Sequence, residues 1–322
     1  MNSFISNFRH ELTVLATVAA VLAVSEAAVR LMLPRVSADW KNFDAIERLA
    51  HQAPVRGGQT VLFVGNSLTG RGIDPSIIEA TMQSTKGVRL TVEKAATDDS
   101  NIGEWVYLVS DKFTKPTSRP DLLVIGYAED QLSDRAPVHV DRLAGYYGGL
   151  RIAPGVFRDD VHDFGSRTDY VISSFSALYA NRDRIRTQVM DRMIPSYRSY
   201  AQQRNLAEKV VNTIRPASSH ERLQRLLAIC RQHSIPVALA AMPIPYMYRL
   251  DEAVPSLARE YGAAFFDMTT VPAITPSHFS DGYHLDDDGR RIYSQAFALS
   301  LAESDAILPP FARDTRQPSG RR

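Results

Sequence analysis

The chain has 322 residues and a mass of 35.8 kDa, room for one large domain or two small ones. Apolar residues make up 44% and charged residues 23%, ordinary globular usage that excludes wholesale disorder and collagen-like repeats. Lysine and arginine number 37 against 36 aspartates and glutamates, so a net charge of +1 provides no whole-molecule field for nucleic acid. The single Cys230 rules out an intramolecular disulfide and a thiolate zinc site. Any catalysis therefore falls to hydroxyl, imidazole or carboxylate groups, or to a bound ligand that the sequence does not show.

The first 35 residues are far more apolar than the rest. Leu12 to Val24 carries no charge, and the run continues to Leu33 before Pro34, 22 residues in all. A bilayer span needs about 20. Glu26 and Arg30 interrupt it four residues apart, on one helix face, where they can pair. Residues 1–35 are thus expected to be an uncleaved anchor. A cleaved signal peptide with its site near Ala23-Val24-Ser25 is the second reading, and a helix of a soluble protein the third. The flanking Arg9, Arg35 and Lys41 do not settle orientation, but large domains cross membranes largely regardless of such charges. The favoured placement is single-pass in the cytoplasmic membrane with the domain outside, or secreted if the segment is removed.

After a linker at 36–58, short apolar runs alternate with helical patterns over 59–305, which predicts an α/β sandwich with a parallel sheet. The expected strands are Thr60 to Val64, Val88 to Val92, Asp121 to Ile125, Pro236 to Ala241 and Ala263 to Phe266. Helices are expected after Asp74-Pro75, over Gly103 to Phe113, Ser218 to Gln232 and Ala253 to Tyr261, and from near Asp286 to about Ala302. Asp286, Asp287 and Asp288 suit a helix N-terminus better than a cation site. Residues 132–217 break the alternation and read as a helical insertion. It holds a long helix from Val171 to Met193, with Val171, Phe175, Leu178, Ile185, Val189 and Met193 on one face. Its arginines (Arg182, Arg184, Arg186, Arg192) read as a solvated face, with an anionic glycan, lipid headgroups or a protein partner as the sharper option. The tail at 306–322, with Pro309, Pro310 and Pro318, is expected to be disordered.

Two blocks carry chemistry. The first strand ends in Gly65-Asn66-Ser67-Leu68-Thr69, placing a serine at the carboxyl edge of a sheet, where open α/β folds bind ligands. Before the last helix comes Asp281-Gly282-Tyr283-His284-Leu285, whose spacing lets the carboxylate hold one imidazole nitrogen while the other serves a serine. His10, His51, His139, His162, His220, His233 and His278 show no metal-ligand spacing. The chain lacks the Gly-x-Ser-x-Gly elbow, a complete dinucleotide fingerprint, a Walker motif and His-Glu-x-x-His.

Together, in this order, the two blocks resemble the SGNH (GDSL-type) hydrolase family, with Asn66 where the family usually has Asp. The resemblance spans roughly residues 60 to 129 and 218 to 302. It implies a flavodoxin-like three-layer fold of about five parallel strands and ester or acyl-transfer chemistry; no cofactor or metal is expected. Carried over, Ser67 is the nucleophile, His284 the general base and Asp281 its orienter. The family's oxyanion hole also uses a glycine N–H after the second strand and an Asn side chain after the third. Here Gly103 is the only glycine in the former stretch and Ala128 stands in place of the Asn. Glu129 and Asp130 accept but do not donate when ionised, leaving Asn66, Asn101, Gly103, Tyr127 and Gln131 as candidate donors or substrate contacts.

The resulting expectation is a membrane-anchored serine esterase or O-acyltransferase acting on acyl esters, O-acetyl groups first, of an envelope or secreted polysaccharide. In a transferase a multi-span membrane partner would deliver the acyl group. The alternative is a non-catalytic scaffold or glycan-binding subunit that keeps the fold.

Overall fold

A computed structural model describes residues 2–36, 38–51, 59–194 and 219–304. In chain order these form α1 (Asn2–Val36), α2 (Ala38–His51), β1 (Gln59–Gly65), α3 (Ser67–Gly72), α4 (Pro75–Lys86), β2 (Leu90–Ala96), α5 (Ile102–Lys112) and β3 (Leu122–Tyr127). Next come α6 (Val140–Arg142), a π-helical turn (Leu143–Tyr147), a 3-10 turn (Gly149–Arg151), α7 (Ala153–Asp159), α8 (Phe164–Phe175), α9 (Ala177–Ala180) and α10 (Arg182–Met193). The chain then forms α11 (Glu221–Gln232), β4 (Val237–Ala241), α12 (Ala253–Tyr261), β5 (Ala264–Asp267), a 3-10 turn (Pro276–His278) and α13 (Asp287–Glu303). The expected tail and residues 195–217 of the insertion lie outside the described residues, so nothing bears on them.

Two compact units emerge: one from the described residues of Met1–Lys41 and His139–Pro216, the other from those of Asn42–Val138 and Ala217–Arg322. The second holds a five-stranded, all-parallel sheet of order β2-β1-β3-β4-β5. This is the flavodoxin-like doubly wound order, with its switch point at β1 and β3. Every residue of β3 and β4 is buried, as expected for strands covered on both faces. Phe63 of β1 and Phe266 of β5 meet the Phe297 ring of α13 edge-on, at centroid distances of 5.3 and 5.4 Å. Asp74 caps α4 by accepting from the N–H groups of Ser76 and Ile77, with Pro75 in the first turn. Asp286 caps α13 through the Gly289 N–H, while Asp287 and Asp288 pair with Arg290 and Arg291. These aspartates therefore serve a helix start, and no cluster of three or more metal-ligating side chains occurs among the described residues.

Three sequence expectations need correction. The interval 36–58 is not all linker, because α2 occupies Ala38–His51 and buries Phe43 and Ile46. Pro34 does not stop the first helix, which continues to Val36. The expected helix from Val171 to Met193 is three helices. Ser176 adopts an extended backbone between α8 and α9 and accepts from the Tyr179 N–H, and Asn181 departs from helical geometry between α9 and α10. Serine and asparagine compete with the helical backbone through such local bonds. Val171, Phe175, Val189 and Met193 consequently end up exposed.

In the first unit, α1 includes a stretch, His10–Leu33, long and apolar enough to cross a bilayer. Glu26 does more than pair with Arg30. Its carboxylate accepts from the N–H groups of Ala177 (2.8 Å) and Leu178 (2.9 Å) and from the Ser176 hydroxyl (2.8 Å). Arg30 donates to Glu26 (2.6 Å) and to the Phe175 carbonyl (2.7 Å). Two charges within an apolar helix are thus both satisfied, and they tie α1 to the junction of α8 and α9.

Candidate active site

Ser67 opens α3 immediately after β1, at the carboxyl edge of the sheet. Asn66 caps that helix: its side chain accepts from the Leu68 N–H at 2.9 Å. Gly65 serves a close approach rather than an unusual backbone angle. A Cβ there would lie 2.0 Å from Thr69 Oγ1 and 2.7 Å from the Gly126 carbonyl. Thr69, fully buried, donates from that hydroxyl to Gly126 O at 3.2 Å. The Ser67 turn is therefore pressed onto β1 and β3 through two facing glycines, Gly65 and Gly126, which are register partners.

The loop before α13 brings the other two groups. Ser67 Oγ lies 2.8 Å from His284 Nε2, and His284 Nδ1 lies 2.8 Å from Asp281 Oδ2. These residues are 217 and 3 positions apart in sequence. The other carboxylate oxygen, Asp281 Oδ1, accepts from the N–H groups of Tyr283 (3.0 Å) and His284 (2.7 Å), so the aspartate also holds the loop in shape. Burial pushes the Asp281 carboxyl up, but the His284 N–H and ring and the Tyr283 N–H outweigh it, and the net shift is below the usual carboxylate range. The Tyr283 ring packs edge-on to the imidazole, with centroids 5.2 Å apart.

Sequence reading missed Arg71. One turn beyond Ser67 on α3, its guanidinium donates to Asp281 Oδ2 at 3.0 Å and lies 3.2 Å from His284 Nδ1. The i, i+4 spacing from the serine was the available signal, but its partner is 210 residues away. A second His–Asp pair was also missed. His220 is buried, with Nδ1 2.9 Å from the Leu132 carbonyl and Nε2 3.0 Å from Asp251, and it braces the loops that follow β3 and β4.

Of the candidate donors, Asn101 and Gly103 are engaged elsewhere. Asn101 caps α5 by accepting from the Gly103 N–H (2.8 Å) and donates to the Pro137 carbonyl (3.0 Å), so both members of that pair are committed locally. Gln131 accepts from the Ala128 N–H at 3.0 Å through its carbonyl oxygen, leaving its amide hydrogens to donate. Tyr127 is buried at the end of β3, its hydroxyl is one of the buried side-chain atoms with no hydrogen-bond partner, and its pKa is raised, chiefly by burial. The Ser67 N–H, in the first turn of α3, has no intrahelical acceptor. Glu129 takes a positive φ of 52° just after β3 and accepts from the Tyr246 hydroxyl at 3.0 Å. His278 instead closes the 3-10 turn, accepting through Nδ1 from the Thr275 N–H at 3.1 Å. Cys230 is buried, which pushes its thiol up to about 12 and removes it as a nucleophile.

No family model and no curated protein sequence matches the chain. Among solved structures it is similar to an acetylxylan esterase from Geobacillus stearothermophilus, at 12% identity and a TM-score of 0.41, over 78% of this chain and 96% of that one. An alpha/beta hydrolase enzyme from the metagenome of Lake Arreo, Spain, matches at 11% identity and a TM-score of 0.41, over 79% of this chain and 98% of that one. A lipase/acylhydrolase from Enterococcus faecalis matches at 11% identity and a TM-score of 0.38, over 76% of this chain and 96% of that one.

Proposed function

We propose that the protein is a serine-dependent acyl-ester hydrolase or O-acyltransferase, with Ser67 as nucleophile, His284 as general base and Asp281 as orienter. The observation that carries this reading is the unbroken relay from Ser67 Oγ through both His284 nitrogens to Asp281, with 2.8 Å at each step. Nucleophile–base contacts of about 2.6–3.2 Å are what proton transfer needs. With Nδ1–H donating to Asp281, Nε2 takes the Ser67 proton as Oγ bonds to the acyl carbon. The carbonyl electron pair moves onto oxygen, and the Ser67 N–H is one donor available to that oxyanion. Collapse expels the alcohol, which leaves with the proton from Nε2. An acceptor hydroxyl then attacks the acyl-enzyme, again deprotonated by His284. Water makes the enzyme an esterase, and a glycan hydroxyl makes it a transferase.

The substrate class in this reading is an acylated envelope or secreted polysaccharide, with α1 holding the protein in the cytoplasmic membrane and the catalytic domain outside. A multi-span partner would supply the acyl group in the transferase. The alternative, a non-catalytic scaffold or glycan-binding subunit, is favoured by one observation: Asn101 and Gly103 spend their donors on each other and on Pro137. Missing one oxyanion donor costs on the order of 100-fold or more in turnover. The test is labelling of the full chain in detergent with a fluorophosphonate probe. Wild-type labelling that disappears in Ser67→Ala supports catalysis. No labelling, with no turnover of p-nitrophenyl acetate between about pH 6 and 9, removes the esterase reading and leaves partner-dependent transfer and the scaffold.

A further inference from the structure

The first unit carries an apolar stripe that its own core does not use. On α8, Phe164, Val171, Ile172 and Phe175 are all exposed, Phe164 at 86% and Phe175 at 65%. At 100° per residue the four fall within a sector about 100° wide. Thr168, also exposed, lies in the same sector.

That outward orientation is enforced from the other side of the helix. Tyr170 is fully buried and donates to the Gly149 carbonyl at 2.7 Å. Arg167 donates to the Val161 (3.0 Å) and Phe157 (2.8 Å) carbonyls and lies over the Phe157 ring. Ser173 is buried on the same side. Rotating α8 to hide its phenylalanines would break these bonds and bury a guanidinium without partners. The stripe is held outward and needs an apolar environment from elsewhere.

The position of α8 along α1 identifies that environment. Its last carbonyl, Phe175 O, accepts from Arg30, and the next residues, Ser176 to Leu178, close on Glu26. Both charges lie in the final third of the stretch able to span a bilayer, His10–Leu33. The uncharged part, Leu12 to Ser25, is only about 21 Å long at 1.5 Å per residue, short of a hydrocarbon core of about 30 Å. With Leu12 at one boundary, Glu26 and Arg30 lie about 9 Å and about 3 Å beneath the other, and the hydrogen bonds they make fix the carboxyl end of α8 at that shallow depth.

We infer that α8 is an interfacial helix. Its Phe164, Val171, Ile172 and Phe175 side chains insert into the lipid headgroup–acyl boundary beside α1, and the Glu26–Arg30 pair sets their depth. The occupant of the stripe is the bilayer, continuous with the lipid around α1, and in-plane helices of this kind bury their apolar faces about 5–10 Å deep. The inference rests on reading α1 as an uncleaved anchor.

The full chain, reconstituted into vesicles of phosphatidylcholine and phosphatidylglycerol, tests both readings separately. Phe164→Cys, Phe175→Cys and, on α1, Leu15→Cys are each labelled with bimane, positions exposed enough to leave the fold intact. Brominated lipids then report depth. The expected result is strong loss of emission at 164 and 175 with bromines high on the acyl chain, and at 15 with bromines near mid-chain. Loss at 15 with none at 164 or 175 would overturn the interfacial helix while keeping the anchor, and would point to a protein partner on the stripe. No loss at 15 would overturn the anchor, and the inference with it.

Discussion

Replacing Asp281 by asparagine separates the proposed proton relay from the loop that carries it. Asp281 divides its work between two oxygens. Oδ1 accepts two backbone N–H groups, from Tyr283 and His284, while Oδ2 faces His284 Nδ1 at 2.8 Å and Arg71 at 3.0 Å. Asparagine keeps an oxygen at the first position and puts an NH2 at the second. That NH2 donates, so Nδ1 must accept and the ring proton moves to Nε2. Nε2–H then faces Ser67 and has no lone pair for its proton. The expected loss in fluorophosphonate labelling rate is on the order of 10⁴-fold, about 5 kcal/mol of barrier. Thermal unfolding should change little, because both backbone bonds survive. Asp281→Ala removes those bonds as well, each worth about 1 kcal/mol, and should lose labelling and stability together. A rate for Asp281→Asn within about tenfold of wild type, with Ser67→Ala unlabelled, would refute the tautomer argument and leave Asp281 a loop brace.

Other substitutions probe the supporting structure. Arg71→Ala removes an ion pair whose partners are 52% and 45% exposed, so solvent screening limits its worth to about 1 kcal/mol, and labelling should fall by about fivefold or less. Gly65→Ala forces a Cβ into Thr69 Oγ1 and should cost about 1–3 kcal/mol in denaturant unfolding, with labelling reduced because the Ser67 turn must shift. Asp74→Ala should cost about 1 kcal/mol at neutral pH through loss of the α4 cap. Its bonds to Ser76, against some burial, hold the Asp74 carboxyl below its ordinary 3.8, so this stabilisation is complete above that pH and is lost as pH falls through the folded value. Urea midpoints of wild type and Asp74→Ala should therefore converge in acid; a gap that stays constant below about pH 3 would contradict the ionised cap.

Much of the fold was legible because buried parallel strands write themselves as continuous apolar runs. All five strands overlap those runs, four of them within a residue or two at each end, while β2 runs four residues past its expected end to Ala96, because pairing rather than composition sets the limit. The helix over Ala253–Tyr261 matches its pattern at both ends, since Gly262 in the left-handed region stops it. The long helix expected from Val171 was not legible as three. Apolar spacing persists through Ser176 and Asn181, and only their local hydrogen bonds reveal the breaks. For the site, the Ser67 and Asp281–His284 blocks stood out because each combines a reactive side chain with its turn residues. Asn101 and Gly103 misled, because an amide two residues before a glycine N–H serves equally well as a helix cap.

The sequence by itself determined the local elements, the two chemistry-bearing blocks and the apolar helix with its Glu26–Arg30 pair, all of which depend on residues a few positions apart. The tertiary structure alone decided the order β2-β1-β3-β4-β5 and the meeting of Ser67 with His284. It also placed Arg71 at Asp281 and set Glu26 on the α8–α9 junction 150 residues away. Such contacts leave no periodic trace, because they follow from how twisted strands and their helices pack in space rather than from any spacing along the chain.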